Sequence, residues 1–257
     1  RDQPRSRGLG DVYKRQKHNY IARGELIMYK LVLKKGNNYI KSEADWFKYV
    51  PPKKNNHWRH EVTIKMLAEY FIAAKGYIPK EIEDILINIQ CENDKPFFAE
   101  PEAVTIFDTK GVGLHHDLLL VKKNDIVIGI EAKVDEKFGG KVLSILSKDI
   151  SDNLRERIGQ FNKELYGGNM EQMPNVSYQL LEASSGILIE ARKAKANKAI
   201  LLICTFVNGN NANVKKIIKN IDDIYQFKSS LEKYAKNGFY NLPGYGDIDF
   251  YIKHIEV

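Results

Sequence analysis

Residues 115–133 read His-His-Asp-Leu-Leu-Leu-Val-Lys-Lys-Asn-Asp-Ile-Val-Ile-Gly-Ile-Glu-Ala-Lys, and the fold turns on them. Asp117–Val121 and Ile126–Lys133 are apolar, β-branched runs, and Lys122–Asp125 between them has the length and polarity of a hairpin loop. Antiparallel pairing sets the start of the first strand beside the end of the second, so Asp117 meets Glu131 and Lys133. Glu131 and Lys133 are two apart, hence on one face, opposite Ala132. Two carboxylates a few ångströms apart repel unless a cation lies between them, and hard oxygen ligands suit Mg²⁺ or Mn²⁺. Such a metal polarises a phosphoryl oxygen and lowers the pKa of a bound water, while a nearby ammonium orients that nucleophile or offsets charge developing on phosphate. The chemistry expected is phosphodiester hydrolysis. The ordinary alternative is a cross-strand ion pair at a sheet edge.

Outward from the hairpin, Ala103–Phe107 is a third strand-like run. Upstream, apolar residues recur at helical steps from Trp58 to Ala74, with Gly76 as a C-terminal cap, and Pro79 at a first-turn position opens a helix through Ile89. Tyr29–Leu33 is a short strand, followed by a mixed segment to Pro51-Pro52, after which the body of the fold is expected to begin. Downstream the period lengthens to that of helices near Val142–Ser147, Asp152–Leu165 and Val176–Ala196, with Gly167-Gly168-Asn169 separating the last two. Ala199–Val207 reads as a buried strand, Val214–Lys236 as one or two helices, and Ile248–Glu256 as a terminal strand. The order predicts an α/β fold, a mixed β-sheet flanked by helices, in a single domain over 28–257.

Composition narrows the function. The 257 residues carry a net charge of +7. Residues 1–27 resemble adapter or untranslated sequence and are expected to be a non-native leader before Met28. They hold seven basic and three acidic residues, so only +3 remains without them, weak evidence for nucleic-acid binding by itself. No apolar stretch approaches the roughly 20 residues of a membrane span, so no membrane partner is expected. Two cysteines, Cys91 and Cys204, in no CxxC or Cys/His spacing exclude a disulfide framework and a zinc finger and favour a reducing cytoplasm. No GxxxxGK[ST] motif occurs, and Gly111-x-Gly113 is too short for a nucleotide loop.

The constellation resembles that of the PD-(D/E)XK nuclease superfamily, defined by an Asp and, on the next strand, Glu/Asp-x-Lys. Glu131–Gly139, EAKVDEKFG, is similar to the E-G/A-K-V-D-E-P-F-G signature of a bacterial family of unknown function placed within it. His57-Trp58-Arg59, Leu67-Ala68, Tyr178-Gln179-Leu180-Leu181, Leu188-Ile189-Glu190-Ala191 and the Ala199–Phe206 strand match the same family in the same order, over roughly Trp46 to Val257. The resemblance implies a restriction-endonuclease-like sheet and a metal-dependent nuclease acting on nucleic acid, with DNA the expected substrate. It makes Asp117 and Glu131 metal ligands with the Ala132 carbonyl as a third, Lys133 the catalytic lysine, and Gln179 a further catalytic residue from a packed helix. It also implies a possible homodimer, without a specified face. The alternative is an inactive nucleic-acid-binding module retaining the fold; a third reading is a nuclease-like site for a smaller phosphate substrate. Where relatives place Ser-Gln-x ahead of the Asp, this chain has Leu114-His115-His116, and Glu61 stands where they have Gly.

Adjacent strand residues point to opposite faces, so His115 and His116 are expected as one phosphate contact and one exposed side chain rather than a metal pair. Asp135 and Glu136 are expected to shape the turn after the strand, and Lys137 or Lys141 to face phosphate. Glu61, Lys193, Lys195, Lys198 and Lys215-Lys216 read as solvated charge. Trp58, Tyr70, Phe71 and Cys204 read as core.

Overall fold

The computed structural model describes residues 28–52, 63–107, 113–134, 136–207 and 214–257. The start of the helix expected from Trp58, the His57-Trp58-Arg59 motif, Glu61, Gly111, Asp135 and residues 1–27 lie outside them.

Nine strands form one mixed sheet: β1 (Leu31–Lys35), β2 (Asn38–Tyr39), β3 (Phe97–Thr105), β4 (Leu114–Lys122), β5 (Ile126–Lys133), β6 (Lys198–Thr205), β7 (Ala235–Lys236), β8 (Phe239–Tyr240) and β9 (Asp249–Glu256), in the order β2-β1-β3-β4-β5-β6-β9-β8-β7. The β3–β4–β5 meander is antiparallel, while β5, β6 and β9 run parallel, so their carboxyl ends share one edge in the register Lys133↔Thr205↔Glu256. The expected hairpin is present with the bounds of its second strand unchanged, and its turn places Asn124 in the left-handed region at φ 62°.

Among the described residues, seven helices sandwich the sheet. On one face lie α1 (Glu43–Tyr49), α2 (Thr63–Ala73) and α3 (Lys80–Asn88). On the other lie α4 (Val142–Leu146), α5 (Asp152–Tyr166), α6 (Tyr178–Lys193) and α7 (Val214–Ser230). β5 is buried along its whole length because it feeds both cores. Ile126, Ile128, Ile130 and Ala132 face α1–α3, and Val127 faces α4–α7. Local signals set the ends: the Ser42 hydroxyl accepts the Asp45 N–H at 3.1 Å to start α1, and Gly167, left-handed at φ 65°, ends α5. Pro79 stands at the cap of α3, one position before its first turn.

The body does not begin after Pro52. β1 pairs with β3, the Tyr29 hydroxyl donates to the Cys91 carbonyl at 2.7 Å, and Trp46 of α1 is fully buried. α7 is a single helix that stops at Ser230, and a 3₁₀ turn and the β7–β8 hairpin replace its expected continuation to Lys236.

One irregularity decides the geometry that follows. Pro101 sits inside β3 and Glu102 beyond it adopts φ 48°, a left-handed conformation uncommon for a side-chain-bearing residue. Lys35 holds this kink by donating to the Pro101 and Glu102 carbonyls at 2.9 and 2.8 Å. Across it both strands exchange faces. Ala99 and Leu118 pack toward α1–α3, yet Ala103 and Leu114, at positions of the same parity, pack toward α4–α7. Asp117 is the β4 residue at the exchange.

Both cysteines are buried thiols with no disulfide. Burial pushes Cys204 up, and burial with the neighbouring Asp125 carboxylate pushes Cys91 up to about 12. Neither should react with a maleimide in the native protein at pH 8, whereas both should do so in guanidinium chloride. Rapid labelling of one thiol equivalent in the folded protein would show the packing to be wrong.

Candidate active site

The β4–β5 ladder ends at Leu118↔Ile130, although both strands continue. Beyond that point the Asp117 side chain substitutes for backbone pairing: its Oδ2 accepts the Ala132 N–H at 2.8 Å. In an extended strand the N–H and C=O of one residue point to the same side, so the Ala132 carbonyl also faces the Asp117 side, past the last ladder pair. Glu131 and Lys133 flank Ala132 on the opposite face of β5, each only 4% exposed, with Lys133 Nζ 3.9 Å from Glu131 Oε2. The ammonium also sits 5.3 Å from the centroid of the Phe138 ring.

Gln179 projects from the second position of α6 and donates through Nε2 to Glu131 Oε2 at 2.9 Å. Its direction is set by the chain that leaves β5. That segment is tied to the start of α6 by the Tyr178 N–H on the Gly140 carbonyl at 3.0 Å and the Val142 N–H on the Val176 carbonyl at 3.0 Å. The Ser177 hydroxyl adds a bond to the Gly139 carbonyl at 3.3 Å. α6 lies close against β5 at Gly129 and against β4 at its own Gly186. A methyl on Gly129 would overlap the Ile187 side chain, and one on Gly186 would overlap Leu114 and press on His116. Gly129→Ala is therefore expected to destabilise the fold by about 1–3 kcal/mol through overpacking, and Ile187→Ala added to it should recover part of the loss. Chemical denaturation of the wild type and both variants checks this; an unaltered Gly129→Ala would refute the tight contact.

The electrostatics are those of a site short of positive charge. Burial pushes the Glu131 carboxyl up, the Asp117 charge adds to this, and Lys133 and the Gln179 amide pull the other way. Asp117 is raised for the same first reason, with Lys133 and the Ala132 N–H opposing. Each carboxylate keeps one oxygen outside these bonds, Oδ1 of Asp117 and Oε1 of Glu131. Among the described residues no group of three or more His, Cys, Asp and Glu side chains is placed to hold a metal ion by itself. A hard divalent cation held here would take two carboxylate oxygens and the Ala132 carbonyl, leaving the rest of its sphere to water or substrate oxygens, as Mg²⁺ commonly does. The donor set fits.

The structure thus brings Asp117, Glu131, Ala132, Lys133 and Gln179 together at the carboxyl end of β5. Of the two histidines, only one is placed as expected, as an exposed side chain. His115 is exposed, 3.4 Å from Glu102. His116 is buried and turned toward α6 by the face exchange; its Nε2 bonds Thr105 Oγ1 at 2.8 Å, and Thr105 donates to Glu190 at 2.9 Å. That chain makes His116 the Nε2–H donor, and burial holds its pKa down at about 4, so it is neither a phosphate contact nor an exposed side chain. Lys141 does not stand free for phosphate, since it pairs with Asp223 at 2.5 Å and Gln226 at 2.9 Å; Lys137 is exposed.

Sequence reasoning passed over three supports. Asn220 and Asp223, buried on the inner face of α7, clamp the segment after β5: Asn220 Nδ2 donates to the Glu136 carbonyl at 2.9 Å, and its Oδ1 accepts the Phe138 N–H at 3.2 Å. Thr63, at the start of α2, donates to Glu136 Oε1 at 2.7 Å. The available signal was two polar residues, three apart, on the helix face that also carries Ile224, Phe227 and Ser230.

A family model described as Domain of unknown function (DUF6946) matches residues 39–256. No curated protein and no solved structure matches the chain. No helix among the described residues is long and apolar enough to cross a membrane.

Proposed function

We propose that this chain, which belongs to the DUF6946 family, is a metal-dependent nuclease of restriction-endonuclease-like architecture that hydrolyses nucleic-acid phosphodiesters, with DNA as its substrate. One observation carries the reading: two carboxylates, an ammonium and a carboxamide converge where β5 ends, Asp117 bonded to the Ala132 N–H and Glu131 to Gln179, with the ammonium 3.9 Å from Glu131. A buried Glu131 beside a half-buried Asp117, both with raised pKa values, is costly to keep, and a cation between them gives the pair a reason. The position supports the same reading, because ligands of open α/β sheets collect at the carboxyl ends of parallel strands. With both cysteines kept as thiols, a reducing cytoplasm is the compartment that suits it.

In this reading Asp117 and Glu131 hold Mg²⁺ or Mn²⁺, which supplies the polarised phosphoryl oxygen and the activated water. The Ala132 N–H and Gln179 each hold one carboxylate oxygen, leaving Asp117 Oδ1, Glu131 Oε1 and the Ala132 carbonyl as the donors that would take the cation. Lys133, backed by the Phe138 ring, offsets negative charge as it develops on the attacked phosphate.

The competing reading is a binding module that uses the same fold without turnover. It draws on the Lys133–Glu131 contact, which also suits a plain structural ion pair. Incubation of purified protein with supercoiled plasmid, duplex and single-stranded DNA, and RNA, in Mg²⁺, Mn²⁺ or EDTA, separates the two. Cleavage of DNA that EDTA abolishes is expected. Absence of cleavage of every form, with metal present, would end the nuclease reading.

A further inference from the structure

Helix α7 grips the site segment with one face and turns an apolar stripe outward on the other. Val214, Ile218, Ile221 and Tyr225 are 61%, 53%, 41% and 71% exposed among the described residues. Steps of four, three and four residues line them up along one side of the helix, the spacing of a seam between packed helices rather than of scattered surface residues. A contiguous exposed apolar strip of this kind marks an interaction surface.

The strip is complementary to itself. Its centre falls between Lys219 and Asn220, so a second α7 laid antiparallel across it, about a two-fold axis, puts Val214 against Tyr225 and Ile218 against Ile221 twice over. Charge follows the same symmetry. Lys215 and Asp222 are both exposed, lie seven residues apart on one flank of the strip, and stand almost symmetrically about that centre. Antiparallel pairing brings each Lys215 opposite the Asp222 of the other copy. Parallel pairing turns this flank toward Ile217 and the buried Ile224, where no counter-charge waits.

We propose that α7 pairs antiparallel with α7 of a second copy of this chain, forming a homodimer through Val214, Ile218, Ile221 and Tyr225 with a Lys215–Asp222 ion pair at each end. The 17-residue helix is about 25 Å long, so four apolar layers bury an area at the low end for a specific dimer, and association falls in the micromolar range. The apolar layers supply affinity; the exposed ion pairs add little and set the orientation. Because Asn220 and Asp223 hold the segment after Lys133 on the other face of α7, the two-fold axis lies one helix thickness, about 10 Å, from that segment in each copy.

Sedimentation equilibrium of the full chain from about 1 to 500 μM tests this without reference to cleavage. The wild type is expected to pass from monomer to dimer. Ile218→Glu with Tyr225→Glu should remain monomeric throughout, with melting temperature and far-UV circular dichroism unchanged because both side chains face water. Lys215→Asp alone and Asp222→Lys alone should each weaken the dimer about fivefold, and the two together should restore it to within about twofold of wild type. A wild type that stays monomeric at the highest concentration overturns the proposal. So does a dimer indifferent to the Ile218/Tyr225 substitutions, which would form through another face. Should that variant unfold, the charge exchange decides alone: a double exchange no tighter than either single one refutes the antiparallel pairing.

Discussion

Lys133→Ala is expected to slow metal-dependent DNA cleavage by about 10²–10³-fold while leaving affinity for the same DNA within about twofold. The ammonium is almost wholly buried, lies 3.9 Å from Glu131 and rests on the Phe138 ring, so it meets a substrate phosphate only where the reaction occurs. A group confined in this way stabilises charge that grows in the transition state more than charge already present in the bound phosphate, and its loss falls on the chemical step. Metal binding provides the internal control. Lys133 is a cation competing for the field of Asp117 and Glu131, so its removal should leave metal affinity equal or higher. Lys133→Met, which keeps most of the volume over Phe138, should lose the same rate and guards against a packing effect. The contrary pattern is specific: a wild type that cuts nothing, whose DNA affinity drops and salt dependence flattens on Lys133→Ala, is a binding module with Lys133 as one phosphate contact.

The hairpin that carries this lysine was legible because β5 lies between two helical layers, and such a strand must read as an unbroken apolar run ending where charge begins. Asp117, Glu131 and Lys133 followed from antiparallel pairing alone. His116 was misread for a definite reason. Alternation assumes a constant pleat, and the kink at Pro101 and Glu102 exchanges the faces of β3 and β4 at Asp117, so His116 turns toward α6 instead of away from it. Gln179 was reached through resemblance and not through periodicity, since its aim depends on the ties between the segment after β5 and the start of α6. α1 escaped notice because seven residues with one buried side chain, Trp46, give too few turns for a period to appear. Asn220 and Asp223 look like ordinary helix polarity until the segment they clamp is in place.

The second large effect concerns the acids themselves, and its sign changes with metal. Asp117→Asn with Glu131→Gln is expected to raise the melting temperature of the metal-free protein and to abolish the rise that Mg²⁺ or Mn²⁺ gives the wild type. Both substitutions preserve the acceptor positions for the Ala132 N–H and the Gln179 amide, so the frame of hydrogen bonds survives. What disappears is the cost of ionising two carboxyls whose pKa values burial and mutual repulsion push up. For the wild type, a cation at a hundred times its Kd contributes about 2.7 kcal/mol, or about 5–10 °C for a domain of this size. The order of melting temperatures should therefore reverse, variant above wild type in EDTA and wild type above variant in saturating metal. Equal metal-induced shifts would place the cation elsewhere. A variant less stable than wild type in EDTA would make Asp117 and Glu131 part of a structural network, because only a site built to hold a cation is strained by its own charges when that cation is gone.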